Sequence, residues 1–189
     1  MRKRIGWIIM AWLAVSLNGM AQQVLSSDAA GDKEYAKVCR EYELKSENRV
    51  ELLEDYLKQY PDSRHANRVY SMIASVYFDE GKLDEAIEMY KRCNLDDLAD
   101  KERDESVCKM ATAYLKQGNV QEAKIWFNLL KDMSKTHASD AVFNLGYIDY
   151  VEKRYDEALD AFLSLKNDKV YASLIPYYMG EIYVENRKK

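Results

Sequence analysis

The chain has 189 residues, room for one domain, and a formal net charge of −4. Only 2 Pro and 7 Gly argue against a sheet-rich or disordered chain, while 15 Tyr beside many Ala, Leu, Glu and Lys suit packed helices. The acidic balance disfavours nucleic acid and anionic membrane surfaces as partners.

The first 21 residues differ from the rest. Arg2, Lys3 and Arg4 form a basic start, residues 5–17 are apolar, and Gly19-Met20-Ala21 places small residues where a signal peptidase reads. This pattern predicts a cleavable secretory signal cut after Ala21. The 13-residue apolar run falls short of the ~20 residues needed to span a bilayer, so no membrane insertion is expected after cleavage. Cleavage would leave 25 Lys plus Arg against 32 Asp plus Glu, a net charge of −7. A basic start with so short a core is most familiar from bacteria, and the expected location is periplasmic or secreted.

Residues 22–31 are small, polar and aperiodic, and read as a flexible N-terminus. A helix is expected over residues 32–44, with Tyr35, Val38, Cys39 and Tyr42 on one side. Ser46 is a candidate cap for a second helix carrying Val50, Leu53, Tyr56 and Leu57, which stops at Tyr60-Pro61 because Pro cannot continue it.

Residues 70–90 carry the pattern that organises the chain. Tyr70, Ile73, Ala74 and Tyr77 share one helical face. Gly81 can take the left-handed conformation that ends a helix, and Asp84 is a candidate cap for the next, where Ala86 and Tyr90 lie one above the other. Ala74 and Ala86 are where two antiparallel backbones would approach. The pattern returns 37 residues later in Val107, Met110, Ala111, Tyr114, Gly118, Ala123 and Phe127. It returns 35 residues after that in Val142, Leu145, Gly146, Ala158 and Phe162, and begins again 34 further on in Pro176, Met179, Gly180 and Tyr183. In the third copy Asp149 stands where the others have Tyr, and Lys153 replaces the turn Gly, at a cost of about 1 kcal/mol if it is left-handed.

This recurring pattern of small and aromatic residues resembles the tetratricopeptide repeat, a helix-turn-helix unit of about 34 residues. The resemblance covers residues 32–189: a degenerate repeat at 32–62, repeats at 67–100, 104–137 and 139–172, and a half repeat at 173–189. It implies an all-α fold, a right-handed superhelical solenoid of antiparallel helix pairs whose first helices line a concave groove. The phrase YLKQYPDS, residues 56–63, also resembles repeats of outer-membrane assembly lipoproteins, although no lipid-bearing Cys follows the expected cut.

Chemistry-bearing residues are few. Cys93 and Cys108 could pair across a repeat junction, leaving Cys39 free; three half-buried thiols are the favoured reading, since helical repeats need no staples. The acidic run at 94–105 lacks the ligand spacing and Gly of a calcium loop and reads as a solvated connection with helix caps. Ser134, His137 and Asp140 lie three apart, but no oxyanion site accompanies them, and a capping role is expected. His65 and His137 both fall at helix entries, and no close pair suggests a metal site.

The groove positions implied by the resemblance are Arg68, Ser71, Ser75 and Phe78; Glu105, Cys108, Thr112 and Leu115; Asp140, Phe143, Tyr147 and Tyr150; and Leu174, Tyr177 and Glu181. Ser71 and Ser75 stand where some relatives carry a carboxylate-clamping Asn and Lys constellation, which argues against a chaperone adaptor. Phe78, Phe143, Tyr147, Tyr150 and Tyr177 are the candidate binding residues, since rings offer contact area with a polar tip. The same rings could instead pack only against their neighbours. The expectation is a non-enzymatic scaffold of the bacterial cell envelope, holding a protein or peptide, with no cofactor, metal or nucleic acid. The alternatives are a segment of a longer array, a homo-oligomer joined through the C-terminal half repeat, or an accessory of outer-membrane assembly.

Overall fold

The structure is a computed structural model, and it describes residues 29–187. The expected signal at 1–21 and most of the expected flexible segment lie outside the described residues. The described residues fall into two compact units, divided between Val69 and Tyr70. Among the described residues all regular structure is helical, and no helix is long and apolar enough to cross a membrane.

In the first unit, α1 is already helical at residue 29, three residues earlier than expected, and runs to residue 43. It is followed by α2 (Arg49–Gln59). Tyr35, Val38, Leu53 and Tyr56 are its buried core. The turn between the helices lacks Gly, and Lys45 takes the left-handed position with φ 55°. Ser46 does not cap α2: Asn48 precedes the helix, and the Ser46 hydroxyl donates to the Glu41 carboxylate. The His65 ring stacks on Tyr35 at 3.8 Å and bonds Asp32 at 2.9 Å, tying the entry of α3 (Ala66–Asp79) to α1.

The second unit is an all-α helical-repeat solenoid, built of helix pairs in series. After α3 come α4 (Leu83–Arg92), a short 3₁₀ turn (Leu95–Asp97), α5 (Asp100–Lys116), α6 (Val120–Met133), α7 (Ala138–Val151), α8 (Tyr155–Ser164) and α9 (Ile175–Asn186). From α4 onward each helix packs on the next along the chain. One apolar core joins Ala74, Ala86, Tyr90, Met110, Ala111, Ala123 and Phe127, all essentially inaccessible to solvent. A second gathers Ala158, Phe162, Ile175 and Ile182.

The turns follow the backbone chemistry of their residues. Gly81 and Gly118 have φ 76° and 77°, the left-handed region open to Gly at no steric cost. Lys153 occupies the third such turn at φ 62°. Arg154, beside it, bonds both Asp149 and Glu152, and Glu152 also accepts from Lys124 of α6 at 2.7 Å. An ion-pair network thus holds the turn where the Gly is missing. Asp84 is not a cap: Lys82 precedes α4, and Asp84 lies in its first turn, accepting from Gln117. Its charge still suits the positive end of the helix dipole.

Gly146 marks a close approach of α7 to α8. A Cβ placed there would lie 2.8 Å from the Ala161 Cβ and 3.2 Å from the Phe162 ring, one turn beyond Ala158. The last helix departs from the expected register. Ile175 and Ile182 are its buried residues, Gly180 has nothing within 4 Å of its would-be Cβ, and Tyr183 is exposed. The inward face is therefore rotated by about one residue, roughly 100°, from the positions of the earlier repeats.

Candidate functional site

The candidate site lies where α5, α7 and α9 meet. It is built from the segment joining α8 to α9. Asp168 accepts the backbone N–H groups of Val170 (2.8 Å) and Tyr171 (3.1 Å), and its other oxygen accepts from Ser139 Oγ at 2.7 Å. These bonds hold its carboxyl below the usual range, the Ser139 hydroxyl contributing most. The segment is thereby tied to the first turn of α7. Tyr171 is laid flat on Phe143, with ring centres 4.4 Å apart, and donates its hydroxyl to Asp140 Oδ1 at 2.7 Å.

From there α9 brings Tyr178 into the midst of the α7 rings. Phe143 (5.7 Å), Tyr147 (6.0 Å) and Tyr150 (5.7 Å) all meet Tyr178 edge to face, and Phe162 stacks on it at 5.2 Å. Edge-to-face contacts of this kind are the favoured geometry of ring quadrupoles. Burial pushes the Tyr178 hydroxyl above the ordinary tyrosine range. Tyr178 is the hub of the cluster, whereas the sequence pattern points to its neighbour. That neighbour, Tyr177, is 65% exposed and meets the cluster in a perpendicular contact with Tyr178, ring centres 5.3 Å apart.

Beside this cluster an open cleft of about 500 Å³ remains. Its apolar wall is Leu115, Val120, Phe143, Tyr147, Ile148, Val151 and Tyr178, with Thr112, Asn144, Lys116 and Glu152 as polar groups. Of the five candidate residues, Phe143 and Tyr147 line it. Tyr150 packs between Tyr178 and Tyr155. Phe78 stands apart from the cleft, although Lys116, which does line it, lies over the Phe78 ring at 5.0 Å and Lys109 lies over it at 5.8 Å. Two groove positions are closed: Ser71 is buried with its hydroxyl 2.8 Å from Ser106, and Ser75 is buried 3.3 Å from the Tyr90 hydroxyl. These hydroxyls satisfy one another between helices and leave nothing to present to a ligand.

A second cluster sits on the Asp140 side of Tyr171. Cys108 of α5, His137 at the entry of α7 and Asp140 in its first turn each bring a potential ligand atom within 4.8 Å of the other two. The expected capping role is not met: His137 precedes α7 without a side-chain cap bond, its backbone N–H donates to Ser134 Oγ at the end of α6, and its ring Nδ1 lies 2.6 Å from Asp140 Oδ2. Sequence spacing pairs His137 with Ser134 and places no thiol nearby. A signal was nonetheless present: Cys108 and Asp140 both occupy groove positions of consecutive first helices, which stacking places side by side. As a nucleophile Cys108 is poorly suited. Burial, aided by Asp140 and Glu105, pushes its thiol up to about 11, whereas an activated thiol needs the opposite shift. All three cysteines are free, and the Cys93–Cys108 link is not formed.

A model of the tetratricopeptide repeat matches residues 68–94, essentially α3 with α4. A model of the PPR repeat matches residues 106–134, which covers most of α5 with α6. No curated protein matches the chain at a significant level. The fold and the two matches together define a helical-repeat protein, a class whose members generally mediate protein interactions.

Proposed function

We propose that the chain is a non-enzymatic scaffold of the bacterial cell envelope that holds a segment of a partner protein in the cleft between α5 and α7. The observation that carries this reading is the cleft itself. Its volume falls in the range of ligand pockets, roughly 300–1,000 Å³, and its wall is aromatic and aliphatic with a few polar groups at the margin. Phe143, Tyr147 and Tyr178 are held by one another, so a partner side chain would meet rings that lose little freedom on binding. Lys116 offers a positive charge at the margin and would set the partner's orientation, Glu152 being already paired with Lys124 and Arg154. A protein partner is favoured over RNA, although PPR-type repeats can read bases. The acidic net charge would repel a phosphate backbone. Export rests on the basic and apolar start of the chain, and N-terminal sequencing of the mature protein would show Gln22 first.

A photo-crosslinking residue at Tyr147, in the cells that make the chain, tests the cleft. A discrete adduct, lost when Phe143→Ala is added and absent with the crosslinker at exposed Gln121, supports it. A folded protein that gives no adduct at Tyr147 removes the cleft from consideration.

One observation favours a second reading, association between copies. Leu174, Tyr177, Tyr183 and Val184, on and beside α9, are each about half or more exposed. A repeat helix with such a face is suited to stack on another helix. Light scattering on the purified chain would then give a dimer that Tyr177→Ser with Val184→Ser converts to monomer.

A further inference from the structure

We propose that Cys108, His137 and Asp140 form a three-ligand site for a divalent transition-metal ion of the zinc class, with one coordination position left open. Three observations carry it. First, the donor set is thiol, imidazole and carboxylate, drawn from two helices, with the ligand atoms within 4.8 Å of one another. Sulfur with nitrogen selects zinc-like ions over calcium and magnesium, which take oxygen. Second, the charges balance. A thiolate, a neutral imidazole and a carboxylate together neutralise a dication at a half-buried place where excess charge would be costly.

Third, the ligands are held from behind. Tyr171 donates to Asp140 Oδ1 at 2.7 Å, which leaves Oδ2 turned to His137. Tyr171 is itself fixed by its stack on Phe143 and by the Asp168–Ser139 bond. Outer contacts of this kind orient metal ligands and are part of how a site functions.

The geometry needs a small adjustment. A tetrahedral zinc site holds its ligand atoms roughly 3.3–3.6 Å apart. The 2.6 Å contact between His137 Nδ1 and Asp140 Oδ2 must open by under about 1 Å, with the imidazole keeping its proton on Nε2, while Cys108 releases its thiol proton to solvent and the sulfur draws in by roughly 1 Å. Side-chain rotation at Cys108 and His137 covers both movements. The fourth position would hold water or a donor atom from outside the chain. Three protein ligands with an open place is the arrangement that distinguishes reactive or bridging zinc sites from closed structural ones.

The test is titration of the purified full chain, reduced and metal-free, with Zn²⁺ and Co²⁺. We expect one equivalent of either ion and, with Co²⁺, the intense thiolate-to-metal absorption and the visible bands of tetrahedral coordination. Cys108→Ser should abolish the thiolate band and weaken binding a hundredfold or more. Asp140→Asn should weaken it at least tenfold, and Cys39→Ser should change nothing. Circular dichroism establishes that each variant is folded. Should Cys108→Ser fail to fold, alkylation of the unaltered chain, mapped by peptide mass, tests the same ligand: stoichiometric Zn²⁺ should protect Cys108. Binding that survives Cys108→Ser, Co²⁺ spectra without a thiolate band, or unprotected Cys108 at saturating Zn²⁺ would overturn the proposal.

Discussion

Two helical glycines of the second unit offer a matched pair of perturbations. Gly146 and Gly180 lie inside α7 and α9, and replacing either by Ala gains about 1 kcal/mol of helix propensity. Their surroundings differ. At Gly180 a Cβ meets nothing within 4 Å, so Gly180→Ala should stabilise by about 0.5–1 kcal/mol. At Gly146 the new methyl would stand 2.8 Å from the Cβ of Ala161, an atom no rotamer change can move, and 3.2 Å from the Phe162 ring. Relief requires α7 and α8 to separate, and overpacking of this kind costs about 1–3 kcal/mol. Gly146→Ala should therefore destabilise by about 1 kcal/mol net, despite its better helix propensity. Urea titration followed by far-ultraviolet circular dichroism measures both variants. A chain of this size shifts by roughly 2–4 °C in Tm per kcal/mol, so a thermal scan resolves the opposite signs. Adding Ala161→Gly to Gly146→Ala should restore packing beyond the sum of the single effects. If both alanine variants stabilise alike, the close approach of α7 to α8 is not a packed contact and the reasoning fails.

Tyr178→Ala should cost about 2–3 kcal/mol in urea denaturation, because it removes the ring that five others meet, while Tyr177→Ala should stay within about 0.5 kcal/mol. Lys153→Gly should stabilise by about 0.5–1 kcal/mol, since it relieves a left-handed residue at φ 62° and leaves the Arg154–Asp149 pair in place. Burial lifts the Cys93 thiol to about 11, so its alkylation in the native chain should be slow near pH 8.5 and rise about tenfold per pH unit. The sign for stability is the reverse of a paired carboxylate's. The folded chain keeps a proton that the unfolded chain loses above about 8.5, so the Cys93 contribution is intact below that pH and fades as pH climbs towards 11. A urea midpoint that rises over this range in the unaltered chain, relative to Cys93→Ala, would contradict it.

The helical hairpins are legible in the sequence because what builds them is local. Ala74 with Ala86, and Ala111 with Ala123, lie about 12 residues apart and are fully buried, and a positive φ at residues 81, 118 and 153 follows from where each helix must reverse. The period and the turn residues suffice for that. Contacts between successive pairs are a different matter. Whether Tyr177 or Tyr178 faces α7 depends on about 100° of rotation of α9, and both residues are tyrosine, so composition offers no arbiter. The same holds for Ser71 closing on Ser106 and for Cys108 arriving beside His137 and Asp140. Those meetings join residues some 29 to 35 apart, and the crossing of neighbouring helices decides them. Hydrophobic period alone assigns each residue to a face; only the packed structure decides which residue of the next pair that face meets.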